Sequence, residues 1–426
     1  MLLTRIDLRG QSRPFDRLLP APDDAGADVR ADVAAIIDEV RQDGDAALFA
    51  FTKRFDGVEL SSLRVPTEEI DAATQRVTPE LRAALEAAWV RICAYHAAEG
   101  TPPADLVSEG VTVRHLIRPV ERAGCYAPGG RARYPSTVLM CAAPARVAGV
   151  AEVVLFVPPA PDGRVDDATL TAARIAGIDE VYRVGGAQAI AAMAYGTETI
   201  APVDVVVGPG NLYVAEAKRQ VAGSVGIASA FAGPSEVVVI ADDSTPAELA
   251  AIDLMVQAEH GPDGLSWLIT WSPAKADEVE AALEALVVRS PRRGDLESTF
   301  AHGGYCCVVD DSADALEVAN VVAPEHLELL FDGAESHLDA VRRAGAVFCG
   351  VASPASFGDY VAGPNHVLPT NRSARFSSAL RADDFRRHIH AVTVTPEALD
   401  ALGHHVIALA EAEGLVAHAD SIRLRR

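Results

Sequence analysis

Apolar positions follow a helical period near the start of the chain and a strand period further on. Within residues 28–55, Val33, Ile36, Ile37, Val40, Leu48 and Phe51 recur roughly on one face, which predicts helix. A second helix is expected from Thr78, where Pro79 suits the first turn and Leu81, Leu85, Trp89 and Ile92 follow at helical spacing. These stretches are rich in alanine, which favours helix but leaves thin apolar stripes. Beyond residue 150 short apolar runs take over. Strands are expected at 152–157, 180–184 and 203–207, with helices at 168–176, after Gly185-Gly186, and at 212–221. A second unit of similar rhythm has strands at 236–240, 266–271, 305–309 and 346–349, with helices at 245–260, after Pro273, and at 314–321.

This βαβα alternation, with glycines at strand ends, predicts an α/β protein with two Rossmann-like, doubly wound parallel-sheet lobes. Residues 21–122 and 236–376 are assigned to the first lobe and 123–235 to the second. Residues 1–20 read as an extended N-terminal arm. Beyond Arg375 the chain reads as helical and polar, so 377–426 is a C-terminal helical tail. Arm and tail are both too short to bury a core alone, which makes them candidates for packing on another subunit.

Composition supports a well-buried globular chain: 49% of the 426 residues are hydrophobic and only 23% charged. Sixty acidic residues against 37 basic ones give a formal charge of −23. No nucleic-acid partner is expected, because phosphate binding needs clustered Lys and Arg. The cysteines Cys93, Cys125, Cys141, Cys306, Cys307 and Cys349 contain no C-x-x-C pair, and most sit in apolar stretches. They read as small buried hydrophobes of a reduced, intracellular protein. The first twenty residues carry charges throughout and lack a signal-peptide core, and no apolar run is long enough to span a membrane. A cytoplasmic protein with no membrane partner is expected.

Four polar segments carry candidate chemistry. In Val256-Gln257-Ala258-Glu259-His260-Gly261-Pro262-Asp263, Gln257 and His260 share one face of the last helical turn before Gly-Pro stops it. In Ala323-Pro324-Glu325-His326-Leu327, two proton-transfer groups stand side by side at an expected loop. Glycines punctuate Gly358-Asp359-Tyr360-Val361-Ala362-Gly363-Pro364-Asn365-His366, which also reads as loop. Glu413-Gly414-Leu415-Val416-Ala417-His418 lies in the tail. Singly, each is more commonly a solvated surface feature than a site. Together Gln257, His260, Asp359 and His418 offer N/O ligands suited to Zn²⁺ with an open position. For a cofactor, Gly208-Pro209-Gly210-Asn211-Leu212-Tyr213 follows a strand and opens a helix. The dinucleotide fingerprint is incomplete there, because Tyr213 stands at its third glycine and no acidic residue stands about 20 positions on.

Several blocks resemble the histidinol dehydrogenase family: Cys125-Tyr126-Ala127-Pro128-Gly129-Gly130, Ser136-Thr137-Val138-Leu139-Met140, Val184-Gly185-Gly186-Ala187-Gln188, Gly208-Pro209-Gly210-Asn211 and Ala232-Gly233-Pro234-Ser235-Glu236. The segments around His260, Glu325 and His366 match as well, in the family's order and across nearly the whole chain. The resemblance implies a homodimer of intertwined subunits, with the tail exchanged and one Zn²⁺ per subunit. It implies oxidation of L-histidinol through the aldehyde to L-histidine, the last steps of histidine biosynthesis, with two NAD. Gln257, His260, Asp359 and His418 are then similar to the zinc ligands, with His418 arriving from the partner. Glu325 and His326 resemble the catalytic pair. Ser235, His366 and Glu413 resemble further substrate contacts beside Gln257, His260, His326, Asp359 and His418. Tyr126, Gln188 and Asn211 look like the NAD contacts, placing the cofactor in the second lobe and most of the zinc site in the first.

The match has departures. Gly226-Ile227-Ala228-Ser229-Ala230-Phe231 lacks the family's acidic residue, Asn371-Arg372-Ser373 replaces a glycine-richer turn, and 379–383 is atypical. None removes an expected ligand. Three other functions compete: a paralogous zinc dehydrogenase for another polar alcohol such as a sulfonated diol, a zinc hydrolase using Glu325 and His326, and a two-lobed binding protein. The absence of H-E-x-x-H weakens the second, and the clustered Glu, His and Asp weaken the third.

Overall fold

The computed structural model describes residues 2–20, 29–100, 104–129, 133–228, 235–259, 261 and 264–426. Along the chain its strands are β1 (Thr4–Asp7), β2 (Leu106–Ser108), β3 (Val111–Pro119), β4 (Arg122–Tyr126), β5 (Glu152–Phe156), β6 (Glu180–Tyr182), β7 (Val205–Val207) and β8 (Gly226–Ile227). They continue as β9 (Glu236–Ile240), β10 (Leu265–Thr270), β11 (Gly304–Val308), β12 (His326–Leu329), β13 (Ala346–Cys349) and β14 (Arg386–Val394). Two parallel sheets arise, ordered β6-β5-β4-β7-β8 and β1-β11-β10-β9-β12-β13, as the two-lobe expectation requires.

In the five-stranded sheet both faces are buried, so near-continuous apolar strands are what the fold needs. Ala123, Cys125, Val153 and Leu155 pack on one side, while Tyr126, Val154, Phe156 and Val206 pack on the other. The early helices complete those faces. Thr67–Ala73 and Pro79–Ala97 join the first side through Ile70, Leu85 and Ile92. Arg30–Asp43 and Asp45–Phe51 join the second through Val33, Ile37, Val40 and Leu48. The assignment of residues 21–122 to the other lobe is therefore corrected: the helices up to residue 97 belong with the five-stranded sheet. Burial of these helices against both faces of that sheet decides it.

The six-stranded sheet repeats the scheme. Val237, Val239, Leu268 and Cys306 face the helices Ala247–Ala258, Pro273–Arg289 and Arg293–Gly303. Val238, Ile240, Ile269, Cys307, Leu327 and Leu329 face the helix Ser312–Val322. Adjacent Cys306 and Cys307 thus point to opposite faces, the alternation that forbids their pairing. The N-terminal arm is not free: β1 extends this sheet parallel to β11, and Leu3, Leu8 and Phe15 are buried in its cores.

A third, antiparallel sheet, β14-β3-β2, had no clear sequence forecast. Its strand β14 shows that the tail is α-helical only from Pro396 onward, in Pro396–Ala412 and Val416–Arg423, after a short 3-10 turn at Ala382–Phe385. Those two helices bury only Ala398, Gly403, Ala410 and Ala419. Among the described residues no helix is long and apolar enough to cross a membrane.

Candidate active site

The two parallel lobes present opposite sheet edges to chemistry. In the five-stranded sheet, strand order reverses between β4 and β7, and a crevice opens beyond their carboxyl ends. Gly208, directly after β7, has φ +107°, and an added Cβ would lie 2.0 Å from the Tyr126 carbonyl oxygen. Only glycine permits that approach. A cavity of about 1090 Å³ sits here, and Tyr126, Gln188 and Asn211 all line it. The Tyr126 hydroxyl accepts from the Gly186 N–H at 3.1 Å, and burial pushes its pKa up to about 12. Asn211 caps the helix Leu212–Val221 by accepting from the Val214 N–H at 3.1 Å. Lys218 donates to the Gly208 carbonyl beneath the turn, and burial lowers its pKa to about 8.

In the six-stranded lobe the corresponding carboxyl edge is closed by its own hydrogen bonds. Thr245 Oγ1 donates to the Leu330 carbonyl at 3.0 Å, and the Asp332 N–H donates to Ser244 Oγ at 3.1 Å. The candidate chemistry gathers instead at the amino edge. Glu325 and His326 are not on an open loop: His326 begins β12, between β9 and β13, and both side chains are buried. A central parallel strand leaves no room for a solvated pair. His326 Nε2 lies 3.2 Å from Asp359 Oδ1, and its Nδ1 lies 3.7 Å from Glu325 Oε2. Asp359 is also not on a loop; it sits on the short helix Ala355–Tyr360. An added Cβ on the preceding Gly358 would fall 2.5 Å from the Phe348 ring, so glycine lets this helix close on β13. The Phe348 ring in turn stacks on the His326 imidazole with centroids 6.1 Å apart.

Burial governs the charges. It pushes the Glu325 carboxyl up to about 7, against the pull of His326 and of the Glu236 N–H that Oε2 accepts at 3.1 Å. Burial also works against a protonated His326, but Glu325 and Asp359 outweigh it and raise the imidazole to about 9. Glu236, the first residue of β9, is driven to about 8 by burial and by the nearby Glu325. Its Oε1 accepts from the Asn371 N–H at 3.1 Å. Glu328, two residues along β12, hydrogen-bonds with Asp253, and burial raises both carboxyls. Sequence reasoning passed over Asp253 and Glu328, although an acid inside the apolar run Leu327-Glu328-Leu329-Leu330 is a usable signal.

The remaining expected residues divide. Gln257 is buried on the last turn of Ala247–Ala258, and among the described residues its Nε2 has no hydrogen-bond partner. His366 lines a cavity of about 610 Å³ together with His326, Phe348 and Asp359. Ser235 immediately precedes β9, where its carbonyl accepts from the Leu265 N–H. Glu413 and His418 are exposed at the joint of the two tail helices, away from these side chains in the cavity lining. His260 lies outside the described residues, as do Gly130, Pro262, Asp263 and residues 229–234 with half of the atypical 226–231 stretch. Among the described residues no group of three or more His, Cys, Asp or Glu is placed to hold a metal ion.

The histidinol dehydrogenase family model matches residues 20–426. The chain belongs to the histidinol dehydrogenase family. It is 47% identical to histidinol dehydrogenase of Thermosynechococcus vestitus over 433 residues, covering 100% of this chain and 99% of that one. Identity to histidinol dehydrogenase of Rhizobium meliloti is also 47%, over 417 residues, covering 97% and 95% of the two chains. The crystal structure of histidinol dehydrogenase from Elizabethkingia anophelis superposes with a TM-score of 0.94 at 35% identity, covering 100% of this chain and 98% of that one. Histidinol dehydrogenases are oxidoreductases, and the two-lobed parallel α/β fold expected from the sequence is the one this family match accompanies.

Proposed function

We propose that this chain oxidises L-histidinol to L-histidine through the aldehyde, using two NAD and one Zn²⁺ per subunit, in the cytoplasmic synthesis of histidine. The observation that carries the proposal is the buried Glu325–His326–Asp359 cluster, set in a chain of the histidinol dehydrogenase family. A carboxyl and an imidazole, both raised above their ordinary values, lie side by side there as two proton-transfer groups for a two-stage oxidation.

The residues present fit a zinc ion by their donor chemistry. Gln257 offers the oxygen of a buried amide, and Asp359 is a carboxylate turned toward an imidazole. With His260 and with His418 of the partner subunit they would supply an all-N/O set. When bound, the ion supplies orientation and polarisation of a chelating amino alcohol, and NAD supplies the hydride acceptor. The cavity lined by Tyr126, Gln188 and Asn211 is large enough for a dinucleotide and lies at the strand-order reversal where such ligands bind.

His326 takes the hydroxyl proton as the first hydride leaves. Its base form requires the pair with Asp359 to loosen, since that carboxylate and Glu325 hold the proton on. Glu325 titrates near neutrality and takes a proton from the water that adds to the aldehyde, giving the monoanion of the hydrate. Loss of a second proton and hydride then yields the carboxylate. His366, Ser235 and Glu413 of the partner subunit would hold the substrate's polar groups. A thiol adduct is not needed: the hydrogen bond with Cys141 and burial keep Cys125 protonated, and burial raises Cys349.

Homodimer formation is supported by exposed Ile389, Val392 and Val394 on β14 and by Leu409, Val416 and Leu424 on the tail helices. The proposal is tested by NADH formation with L-histidinol beside other polar alcohols. Turnover confined to histidinol is expected; preference for a sulfonated diol would assign the chain to a paralogous activity.

A further inference from the structure

His366 is held by more than its own loop. Its Nδ1 donates to the Asp359 carbonyl at 2.8 Å, and its Nε2 lies 3.3 Å from Thr137 Oγ1, which fixes the ring on both sides. Thr137 belongs to the helix Pro135–Ala148 of the five-stranded lobe. The preceding residue, Asn365, is buried, and it donates Nδ2–H to the Met140 carbonyl of the same helix at 2.6 Å. Its Oδ1 accepts from the Val367 N–H at 2.9 Å. One side chain thus clamps the backbone on either side of His366.

The clamp has a buttress that the proposed chemistry does not use. His96, near the end of Pro79–Ala97 and 1% exposed, places Nε2 3.1 Å from Asn365 Nδ2. An amide nitrogen only donates, so Nε2 must be the acceptor and the ring proton must sit on Nδ1. Nδ1 faces Glu99 Oε2 at 3.1 Å. Glu99 Oε2 also accepts from the Ala382 N–H at 2.9 Å, and Oε1 lies 3.5 Å from Arg381 Nε. Burial lowers the His96 pKa, in keeping with this neutral tautomer.

We propose that His96 is a positioning residue for His366, acting through Asn365 to set the substrate-facing imidazole against the five-stranded lobe. The inference rests on the reading of His366 as a substrate contact. Without the acceptor at His96, Asn365 loses one of the hydrogen bonds that orient its amide, and the backbone bearing His366 is held less firmly. His366 bonds the backbone carbonyl of Asp359, whereas the dinucleotide contacts line the other cavity, so the effect is expected on the substrate and not on NAD.

The test compares full-length His96→Leu, His96→Gln and His366→Ala with the wild type. Leu fills the space without accepting a hydrogen bond, while Gln restores an acceptor. His96→Leu is expected to raise KM for L-histidinol about tenfold with KM for NAD and bound zinc per chain unchanged. His96→Gln should recover most of that loss, a rescue that a purely structural role would not require. If His96→Leu does not fold, Asn365→Ala takes its place with the same expectation. A raised KM in His366→Ala beside an unchanged one in His96→Leu overturns the inference alone. An unchanged KM in His366→Ala removes both the substrate role of His366 and the inference built on it. Equal rises in KM for histidinol and NAD also overturn it, because they report a general loosening of the lobes.

Discussion

At the scale of single residues, burial at the amino edge of the six-stranded sheet sets the proton chemistry. In the proposed mechanism Glu325 must be ionised to take a proton from water, and burial places its pKa at about 7. Turnover of the aldehyde should therefore rise as pH increases through about 7. In Glu325→Gln, a pH–rate series should show that limb gone and the rate down roughly 100-fold or more. A variant that keeps both the limb and the rate would exclude Glu325 as the base. Glu236 makes a separate stability prediction. Its folded pKa of about 8 exceeds the ordinary carboxyl value, so the folded state binds the extra proton between them. Stability then falls as pH rises from the usual carboxyl range to about 8, and Glu236→Gln removes that fall. Denaturant titrations at pH 9 should find the variant roughly 1–3 kcal/mol more stable relative to wild type than at pH 5. Parallel curves would show that Glu236 does not titrate in this way.

At the scale of elements, Gly208 links the end of β7 to the helix Leu212–Val221 through backbone that no side chain can share. Gly208→Ala should raise KM for NAD several-fold and lower the melting temperature, with bound zinc unchanged; an unaltered KM would detach this turn from the cofactor. The same turn shows what was legible in advance. Regular alternation exposed β5, β6, β7, β9, β10 and β11, because buried strands write continuous apolar runs, and it exposed β13 although that edge strand is only half-buried. β14 was hidden, since Arg386-Arg387-His388-Ile389-His390 is polar and largely exposed and pairs only with β3. The EH pair read as loop because β12 has only four residues and begins at the histidine itself. Asp359 read as loop because glycines flank a helix of one and a half turns. The residue types of the site were visible through the family resemblance; their burial, and the acids Asp253 and Glu328 beside them, were not.

At the scale of the whole molecule, the proposed function divides the labour of the two lobes between a carboxyl-edge crevice and an amino-edge acid–base cluster. The tail buries few of its own residues, and Glu413 and His418 stand exposed on it. If His418 serves the partner's site, each homodimer of His418→Ala and of Glu325→Gln is impaired at both sites. A mixed dimer carries one intact site. Equal mixing and reassociation should thus recover about a quarter of wild-type activity. No recovery would place His418 in its own subunit's site or outside any site. The central claim is most directly tested by stoichiometry: NADH formed per L-histidinol, measured before chelation, after it, and after adding zinc back. The account predicts two per substrate, none after chelation, and two again with zinc; one per substrate, or undiminished turnover without metal, would contradict it.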